Sequence, residues 1–547
     1  MSKGLDADGK RAYHPITAQR AFNLEEKMKA THTRREFLAD VGRGMLVASV
    51  GCGMATELGL APAFAADAPD TLDFGPLEPL VRLMQETPAN KLLPALANKL
   101  KSGTELSRLV HAAALANART FGGEDYVGFH TMMALAPALH MARELPDALQ
   151  PLPVFKVLYR NTNRIQERGG RKEEVLHAVK PATLSEGLPG SELLRQAVHR
   201  KDMDEAERTF ATLAQLSPDD ALNHLLHTVQ DNTEVHRVVL PYRAWDLLGL
   251  IGKEQAHTLL RQSVRYCVKA ESWPSSVKDE GPRTLLPRML DQHKLLDRAP
   301  GTRAAEDKWV DELSQTIFKS TPAQAAEAAA AALAEGFAPA SIGEAISLAA
   351  NQLILRDMGR TPRDEVAGKP VGSVHGDSIG VHASDSACAW RNLARVSNDR
   401  NTFACLILGA YQVALDRTAR GGDFLNWTPV PPKWHLEHIK STEADALLRE
   451  ADEAIRQNLQ AQAAAIVCRY GELGHAPRPM FDLFLRYAVS EDGALHAEKY
   501  YRTVTEEFAA ARPAFRWRQL IALARVTASE YGRPAPGMAE ARDLLRV

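Results

Sequence analysis

His496 and Lys499 stand three residues apart in a segment, residues 491–502, that has a helical pattern. On a helix this spacing places both side chains on one face. A neutral imidazole is a common metal ligand. A lysine offers a lone pair or an anionic oxygen only after it has lost a proton or has been carboxylated. The pair therefore predicts part of a metal site or, alternatively, a core histidine beside an ordinary lysine.

The chain contains 18 histidines, and many of them lie inside apolar segments with helical periodicity. Burying an imidazole without a partner costs roughly 1–3 kcal/mol. A metal ion that binds several of them would offset this cost, and helical bundles build metal centres from side chains of separate helices. Taken singly, each histidine is explained as well by a hydrogen-bonded place in the core. The histidines in question are His130, His224, His227, His236, His375, His382, His435, His438, His475 and His496.

The ligand types favour iron, copper or zinc over magnesium or calcium, because imidazole suits the former metals. The His-Glu-x-x-His pattern is absent from the sequence. Covalent c-type haem is excluded because there is no Cys-x-x-Cys-His, although noncovalent haem between two histidines stays open.

Cysteines outside the N-terminal region are widely spaced and form no Cys-x-x-Cys pair, which argues against a zinc ribbon. Each lies in an apolar helical segment, where buried free thiols are common. We expect free thiols, with disulfides in an oxidising compartment as the alternative. These residues are Cys267, Cys388, Cys405 and Cys468.

The N-terminal region, residues 1–65, resembles a bacterial twin-arginine export signal. Arg34 and Arg35 precede a moderately apolar segment, which ends at the small-x-small pattern of residues 63–65. The apolar segment contains Glu57 and is too polar for a comfortable transmembrane helix. The sequence thus predicts recognition by the twin-arginine export machinery, a periplasmic or secreted protein, and no stable membrane insertion after cleavage.

The elements that must position the histidines are helices. The chain of 547 residues has few strand signals, much alanine and apolar residues at helical spacing almost throughout. Its net charge of −2 gives no reason to expect a nucleic acid or an anionic membrane as partner. We predict an all-α body at residues 66–547, a multi-helical bundle or solenoid-like body that is divided into two possible halves, 66–300 and 306–547.

Several boundaries follow from local signals. Thr321 followed by Pro322 predicts a helix start, and residues 447–469 and 515–531 each predict one long helix. Gly and Pro punctuate three predicted long loops, at residues 271–306, 359–380 and 421–435. Long loops within a helical body are often functional.

The order of four motifs resembles the questin oxidase-like family. An early His-x-x-Met-Ala-Leu helix is matched by residues 130–135, and a middle helix with His and Tyr by His236 and Tyr242. A later histidine before an alanine-rich helix is matched by His382 or His375. A C-terminal Asp-x-His-x-x-Lys-type helix is matched by residues 492–502. The similarity covers about a third of the body.

The resemblance implies a helical protein that carries out oxidative chemistry on an aromatic or polycyclic small molecule. It implies non-haem Fe(II) held by histidines, with a modified lysine completing the site. The ligands carried over are His130, His236, His382, His496 and Lys499. Whether Lys499 is carboxylated, and whether His111, His227 or His375 replaces one of these ligands, stays open.

If the iron site exists, we expect roles for several residues near its ligands. We expect Tyr500, or Tyr501, to donate a proton or hydrogen bond to bound oxygen, and Glu498 and Asp492 to orient imidazoles. An aromatic pocket would draw on Trp245, Trp390 and Trp427, with Arg243 and Arg502 neutralising an anionic substrate.

Two other functions fit the same residues. One is a zinc-dependent hydrolase in which Asp385 or Glu498 is the general base. The other is a non-catalytic periplasmic helical scaffold with the histidines in its core.

Overall fold

The computed structural model describes residues 71–273, 280–366, 369–376, 378–419 and 422–547. Across these ranges the chain has 22 α-helices of seven or more residues, is 70% helical and contains no β-strand. The predicted all-α fold is therefore confirmed. The predicted export signal, residues 1–65, lies outside the described residues.

The helices before residue 300 are α1 (Glu78–Glu86), α2 (Ala89–Lys101), α3 (Leu106–Phe121), α4 (Tyr126–Glu144), α5 (Pro151–Glu167), α6 (Gly190–His199), α7 (Met203–Leu213), α8 (Pro218–Val229), α9 (Val235–Ile251), α10 (Ala256–Ala270) and α11 (Pro282–Gln292). Those after it are α12 (Asp307–Lys319), α13 (Pro322–Ala334), α14 (Pro339–Arg356), α15 (Ile379–Val396), α16 (Asp399–Asp416), α17 (Lys433–His438), α18 (Ala444–Arg456), α19 (Gln460–Glu472), α20 (Pro477–Ser490), α21 (His496–Ala510), α22 (Trp517–Glu530) and α23 (Met538–Leu545).

Local signals explain several helix starts. Thr321 caps α13 by accepting from the backbone N–H of Gln324, whose side chain in turn accepts from the backbone of Thr321. Pro322 occupies the first helical position, where a missing N–H costs nothing. The helix predicted at residues 515–531 is α22.

Two boundary predictions were wrong. The helix predicted at residues 447–469 is two helices, α18 and α19, which are separated at Asn458. Asn458 adopts a φ of 56°, and asparagine tolerates this left-handed conformation better than most residues. The predicted loop at residues 271–306 contains α11, whereas residues 357–378, close to the second predicted loop, carry no helix in their described part.

The interior is built from helices that are apolar nearly all round. On α4 and α9 the buried residues cover every side of the helix over most of its length, which is typical of central helices. Residues Leu72–Val547 form one compact unit. The two predicted halves, 66–300 and 306–547, stay a prediction within it.

Two further expectations concern the state of the cysteines and membrane insertion. Cys267, Cys388 and Cys405 are buried free thiols and Cys468 is a partly buried one, which confirms the expectation of free cysteines. None of the helices in the described ranges is long and apolar enough to cross a membrane.

Candidate functional site

Four histidines meet where four helices pack in a closed ring. His130 lies in the second turn of α4, His236 and His382 lie in the first turns of α9 and α15, and His496 is the first residue of α21. Helix α4 packs on α9, α9 on α15, α15 on α21, and α21 on α4. The helices therefore bring together all four histidines that the sequence predicted as ligands.

The imidazoles are arranged as two close pairs. The Nε2 atoms of His130 and His236 are 3.3 Å apart, and those of His382 and His496 are also 3.3 Å apart. Ring centroids are 4.8 Å apart between His130 and His236 and 5.3 Å apart between His382 and His496. Across the pairs the centroids are separated by 5.1 Å for His130 and His496 and 5.8 Å for His236 and His382. The four rings thus surround a common centre.

Hydrogen bonds at Nδ1 fix the tautomers of three rings. Nδ1 of His130 donates to the carbonyl of Tyr126 at 2.7 Å, and Nδ1 of His496 donates to the carbonyl of Ala494 at 3.2 Å. Nδ1 of His236 donates to a carboxylate oxygen of Glu234 at 2.6 Å. A neutral imidazole whose Nδ1 donates carries its lone pair on Nε2. The Nε2 lone pairs of His130 and His236 therefore face each other.

Two facing lone pairs repel unless a proton or a metal cation lies between them. His130 and His496 are 3% and 4% exposed. Burial, the nearby Lys499 ammonium and the other imidazoles hold the pKa of both rings well below its ordinary value. His130 and His496 are consequently neutral at pH 7, so that the Nε2 lone pair of His130 is available to a metal.

The spacing of the rings is close to that of a tetrahedral metal centre. Two nitrogens at tetrahedral positions about 2.1 Å from one ion are about 3.4 Å apart, and the centroids of their rings about 5 Å. Both separations match those found here. In the described part of the chain, however, no three His, Cys, Asp or Glu side chains already stand as a complete ligand set. Binding of one ion by all four histidines would therefore require side-chain rotations that bring the two pairs together.

Lys499 lies beside this cluster. It is 2% exposed. Burial lowers its pKa to about 8, and the Asp385 carboxylate opposes this shift. Asp385 is itself buried and accepts a hydrogen bond from the Thr503 hydroxyl at 2.8 Å. An amine with this pKa loses its proton easily, as the predicted ligand role requires.

Glu234 contacts the histidine cluster, and the sequence reasoning missed it. It caps the N-terminus of α9 by accepting from the backbone N–H of Arg237 at 3.0 Å, and its carboxylate also accepts from the hydroxyl of Tyr266 at 2.7 Å. Burial raises the pKa of Glu234, but the neighbouring His236 and the Tyr266 hydroxyl outweigh this effect and lower it to about 2. An ionised carboxylate on Nδ1 orients a ligand imidazole and makes its Nε2 more basic. The signal in the sequence was an acidic residue two positions before a histidine at a helix start.

Glu498 and Asp492, which were expected to orient imidazoles, pair with cations instead, and the hydroxyl of Tyr500 has no hydrogen-bond partner among the described residues. Glu498 is fully buried and pairs with the Lys156 ammonium at 2.7 Å. Asp492 pairs with Arg160. Tyr500 is 1% exposed, and its hydroxyl has no hydrogen-bond partner among the described residues. Burial and two nearby carboxylates, those of Asp385 and Glu530, raise the pKa of Tyr500 well above its ordinary value.

Other residues with expected roles have structural partners. The hydroxyl of Tyr501 donates to Glu144 at 2.9 Å. Arg243 and Arg502 both pair with Glu506, at 3.2 and 3.0 Å. Their charges are therefore already neutralised inside the protein.

The three tryptophans do not line the cluster. Trp390 is fully buried and donates to Gln412 at 2.8 Å. Trp245 packs under the Lys253 ammonium, and Trp427 packs on Phe424. Each tryptophan packs against residues outside the histidine cluster. An aromatic lining of the site would therefore have to come from other residues.

A different aromatic group borders the histidines. Tyr126 packs on His130 and His236, with centroid separations of 4.4 and 5.8 Å. Phe129 and Tyr266 continue the group, and Trp273 packs edge-on against Tyr266 at 5.5 Å. Tyr126 and Trp273 are 52% and 48% exposed. An exposed aromatic edge therefore adjoins the His236 side of the cluster.

The three alternative ligands occupy different places. His111 and His227 belong to α3 and α8, and burial lowers the pKa of both rings. His375 is buried with its Nδ1 3.9 Å from Glu530, and the next residue, Gly376, lies directly against His496. Neither His111 nor His227 has a contact with the four-histidine cluster.

Comparison with protein-family models, curated proteins and solved structures finds no match for this chain.

Proposed function

We propose that this chain is an exported metal-dependent oxidoreductase whose metal is held by His130, His236, His382 and His496. The observation that carries the proposal is the contact between the His130 and His236 imidazoles, whose Nε2 atoms are 3.3 Å apart while both Nδ1 atoms donate to other groups. Two facing Nε2 lone pairs repel each other and so destabilise the folded protein. A cation bound between them would remove this repulsion and stabilise the folded protein.

The metal we favour is Fe(II), with zinc as the alternative. Neutral imidazoles bind both ions, and the predicted resemblance to the questin oxidase-like family favours iron. Lys499 would complete the ligand set after losing a proton or after carboxylation. Iron in such a site supplies oxygen and one-electron chemistry.

The residues of the chain would have separate tasks. His130 and His496 are buried and hold the inner side of the centre, whereas His236 and His382 are partly exposed and border the approach. Glu234 keeps His236 in the tautomer that presents Nε2. Tyr126 would stack on a flat ring beside the histidines.

An aromatic or polycyclic small molecule is the substrate that suits this approach. Tyr126 presents an exposed ring next to His236, and Trp273 presents another beside Tyr266. Aromatic rings bind one another in stacked or edge-on geometries. The aromatic edge, rather than the three tryptophans of the sequence analysis, supports this choice.

Elemental analysis of the exported protein, purified without chelators or a polyhistidine tag, tests the proposal. We expect about one equivalent of iron, lost in the His130→Ala and His236→Ala variants. The matched control is His438→Ala, because His438 is an exposed histidine of α17. Retention of metal in both cluster variants would refute the site.

Zinc in place of iron would favour the hydrolase. Asp385 supports this second candidate, because it is a buried carboxylate whose pKa is raised by burial, as a general base requires. A folded protein that binds neither metal would favour the non-catalytic scaffold. An oxygen-consumption screen with aromatic compounds separates the oxidative from the hydrolytic function.

The export part of the proposal rests on the sequence of residues 1–65. Replacing Arg34 and Arg35 by lysine should retain the protein in the cytoplasm if the twin-arginine machinery carries it. Cell fractionation measures this outcome, and unchanged export of the double variant would contradict it.

A further inference from the structure

The exposed aromatic edge beside His236 also carries a carboxylate. Glu234 lies at the start of α9, and its side chain is 30% exposed. Oε2 of Glu234 accepts from the hydroxyl of Tyr266 at 2.7 Å, and the ring of Tyr266 packs edge-on against Trp273 at a centroid separation of 5.5 Å. A single side chain, that of Tyr266, therefore separates an exposed carboxylate from an exposed indole ring.

Tyr126 belongs to the same group of rings. It packs on Phe129 with a centroid separation of 5.4 Å, and Phe129 packs on Tyr266 at 5.3 Å. The rings of Tyr126 and Tyr266 both contact His236, at 5.8 and 6.5 Å. The two exposed rings, Tyr126 and Trp273, are thus joined by a short buried row of rings, and Glu234 lies beside this row.

The carboxylate changes what such an edge can bind. Aromatic rings alone stack on flat rings of any charge. The faces of tyrosine and tryptophan rings are also electron-rich and attract cations, and aromatic groups of this kind recognise organic ammonium ions. A carboxylate next to the rings repels an anionic ligand and attracts a cationic one, so the edge selects positive charge.

Basic residues close in sequence to Glu234 and Trp273 are already paired with other acids. Arg237 is buried and pairs with Glu271 at 3.1 Å, and Lys269 pairs with Glu124 at 2.8 Å. The groups that donate to Glu234 are an imidazole N–H, a backbone N–H and a phenol O–H. None of these three donors is a permanent cation, so a ligand ammonium would supply a charge that they do not.

Asp416 adds a second acid to the surroundings of Glu234. It is the last residue of α16 and is partly buried. Burial and the Glu234 carboxylate raise the pKa of Asp416 well above its ordinary value. An ammonium ion close to both carboxylates would offset their repulsion, which is a further reason to expect a cationic ligand here.

We infer that the edge formed by Glu234, Tyr126 and Trp273 binds an organic ammonium ion, and that the aromatic substrate is an arylalkylamine. The ammonium group lies between the Glu234 carboxylate and the Trp273 ring, and the aryl group packs on Tyr126. Binding of the amine requires no metal, whereas its identity as the substrate rests on the proposed oxidoreductase function.

Calorimetric titration of the full-length protein at pH 7 tests the ammonium site without any activity. The probes are phenethylamine, which is a cation at this pH, phenethyl alcohol, which is its neutral analogue, and phenylacetate, which is an anion. We expect the amine to bind roughly tenfold more tightly than the alcohol, and phenylacetate to bind most weakly. Added salt should reduce the preference for the amine. Equal or tighter binding of the alcohol or of phenylacetate would overturn the site.

Variants assign the preference to the edge. Glu234→Gln keeps a hydrogen-bond acceptor and loses the charge, so its affinity for phenethylamine should fall to that for the alcohol. Trp273→Ala changes an exposed residue and should lower the amine affinity roughly fivefold. The matched control is Trp434→Ala, because Trp434 is 56% exposed and stacks on His435 of α17. An unchanged preference in Glu234→Gln, or an equal loss in Trp434→Ala, would contradict the inference.

Oxygen consumption by the iron-loaded protein tests the substrate class. We expect a lower KM for phenethylamine than for phenethyl alcohol, and Trp273→Ala should raise the KM for the amine. Turnover of the alcohol without turnover of the amine would refute the substrate class and leave the oxidoreductase function standing. If the purified protein contains no iron and consumes no oxygen, the oxidoreductase function fails, while the calorimetric result still decides the ammonium site.

Discussion

The Nε2 atoms of His130 and His236 lie 3.3 Å apart although the residues are 106 positions apart in the chain. Because both Nδ1 atoms donate elsewhere, the contact between these nitrogens contains no hydrogen of a neutral imidazole. His382 and His496, which are 114 positions apart, repeat the same separation. The same distance therefore occurs in two pairs of helices, α4 with α9 and α15 with α21, whose members are far apart in the sequence.

Replacing Glu234 by glutamine should weaken metal binding about tenfold, in the range known for residues that orient metal ligands. The amide oxygen still accepts from His236 and still caps α9, so that only the negative charge is lost. Chelator competition measures the affinity.

The control for this variant is Thr321→Ala, which removes the cap of α13 away from the cluster. It should cost about 1 kcal/mol of stability and leave the metal affinity unchanged. Equal affinities for Glu234→Gln and the parent protein would show that Glu234 is only a helix cap.

Replacing Gly376 by alanine should displace His496. A Cβ at position 376 would lie 2.1 Å from the Cβ of His496, which is closer than atoms can approach. We expect a lower melting temperature and a partial loss of bound metal, measured by calorimetry and elemental analysis.

Gly249→Ala provides the comparison. Gly249 lies in α9 with open space around its Cα, so the added methyl should be neutral or stabilise the helix by up to about 1 kcal/mol. Full metal content in Gly376→Ala would contradict the close contact with His496.

Replacing Lys156 by methionine should cost about 3–5 kcal/mol, because it leaves the Glu498 carboxylate buried without a cation. The ammonium also binds the carbonyls of Ala488 and Glu491, close to the start of α21. Unfolding by denaturant measures the loss. The double variant Lys156→Met/Glu498→Gln should recover part of it, and strictly additive effects would argue against the pair.

Acid should destabilise the protein in part through His227. Burial and the charge of Arg400 lower the pKa of this ring from 6.5 to about 3. The folded form therefore binds fewer protons than the unfolded form, and stability present above pH 6.5 is lost as the pH falls toward 3.

The His227→Gln variant should lose less stability than the parent protein between pH 6.5 and 4, by about 1–2 kcal/mol after allowance for the partial exposure of the ring. Thermal melts across this range measure the difference. Parallel pH profiles for the two proteins would contradict the assignment.

The histidine cluster could be predicted because polar rings in apolar helices are conspicuous in a sequence. His130, His236, His382 and His496 lie together as expected, since each lies on a helix with a buried face. The all-α fold class could likewise be predicted, because apolar residues recur at helical spacing along the sequence.

What surrounds the cluster could not be predicted, because it depends on packing between distant segments. Gly376 touches His496 only through the fold, and Lys156 reaches Glu498 from more than 300 positions away. The aromatic edge at Tyr126 and Trp273 is likewise set by how α4 and α10 meet. Asn458 ends a helix whose apolar pattern continues through it.

The order in which the chain is synthesised determines when the four-helix ring can close. His496 leaves the ribosome 366 residues after His130, so the ring stays open until nearly the whole chain has emerged. A chain that stops before α21 has three of the four imidazoles and no closing helix. Metal retention would therefore report completed folding, and a protein that crosses a membrane with its metal bound would have been assembled from its first helix to its last.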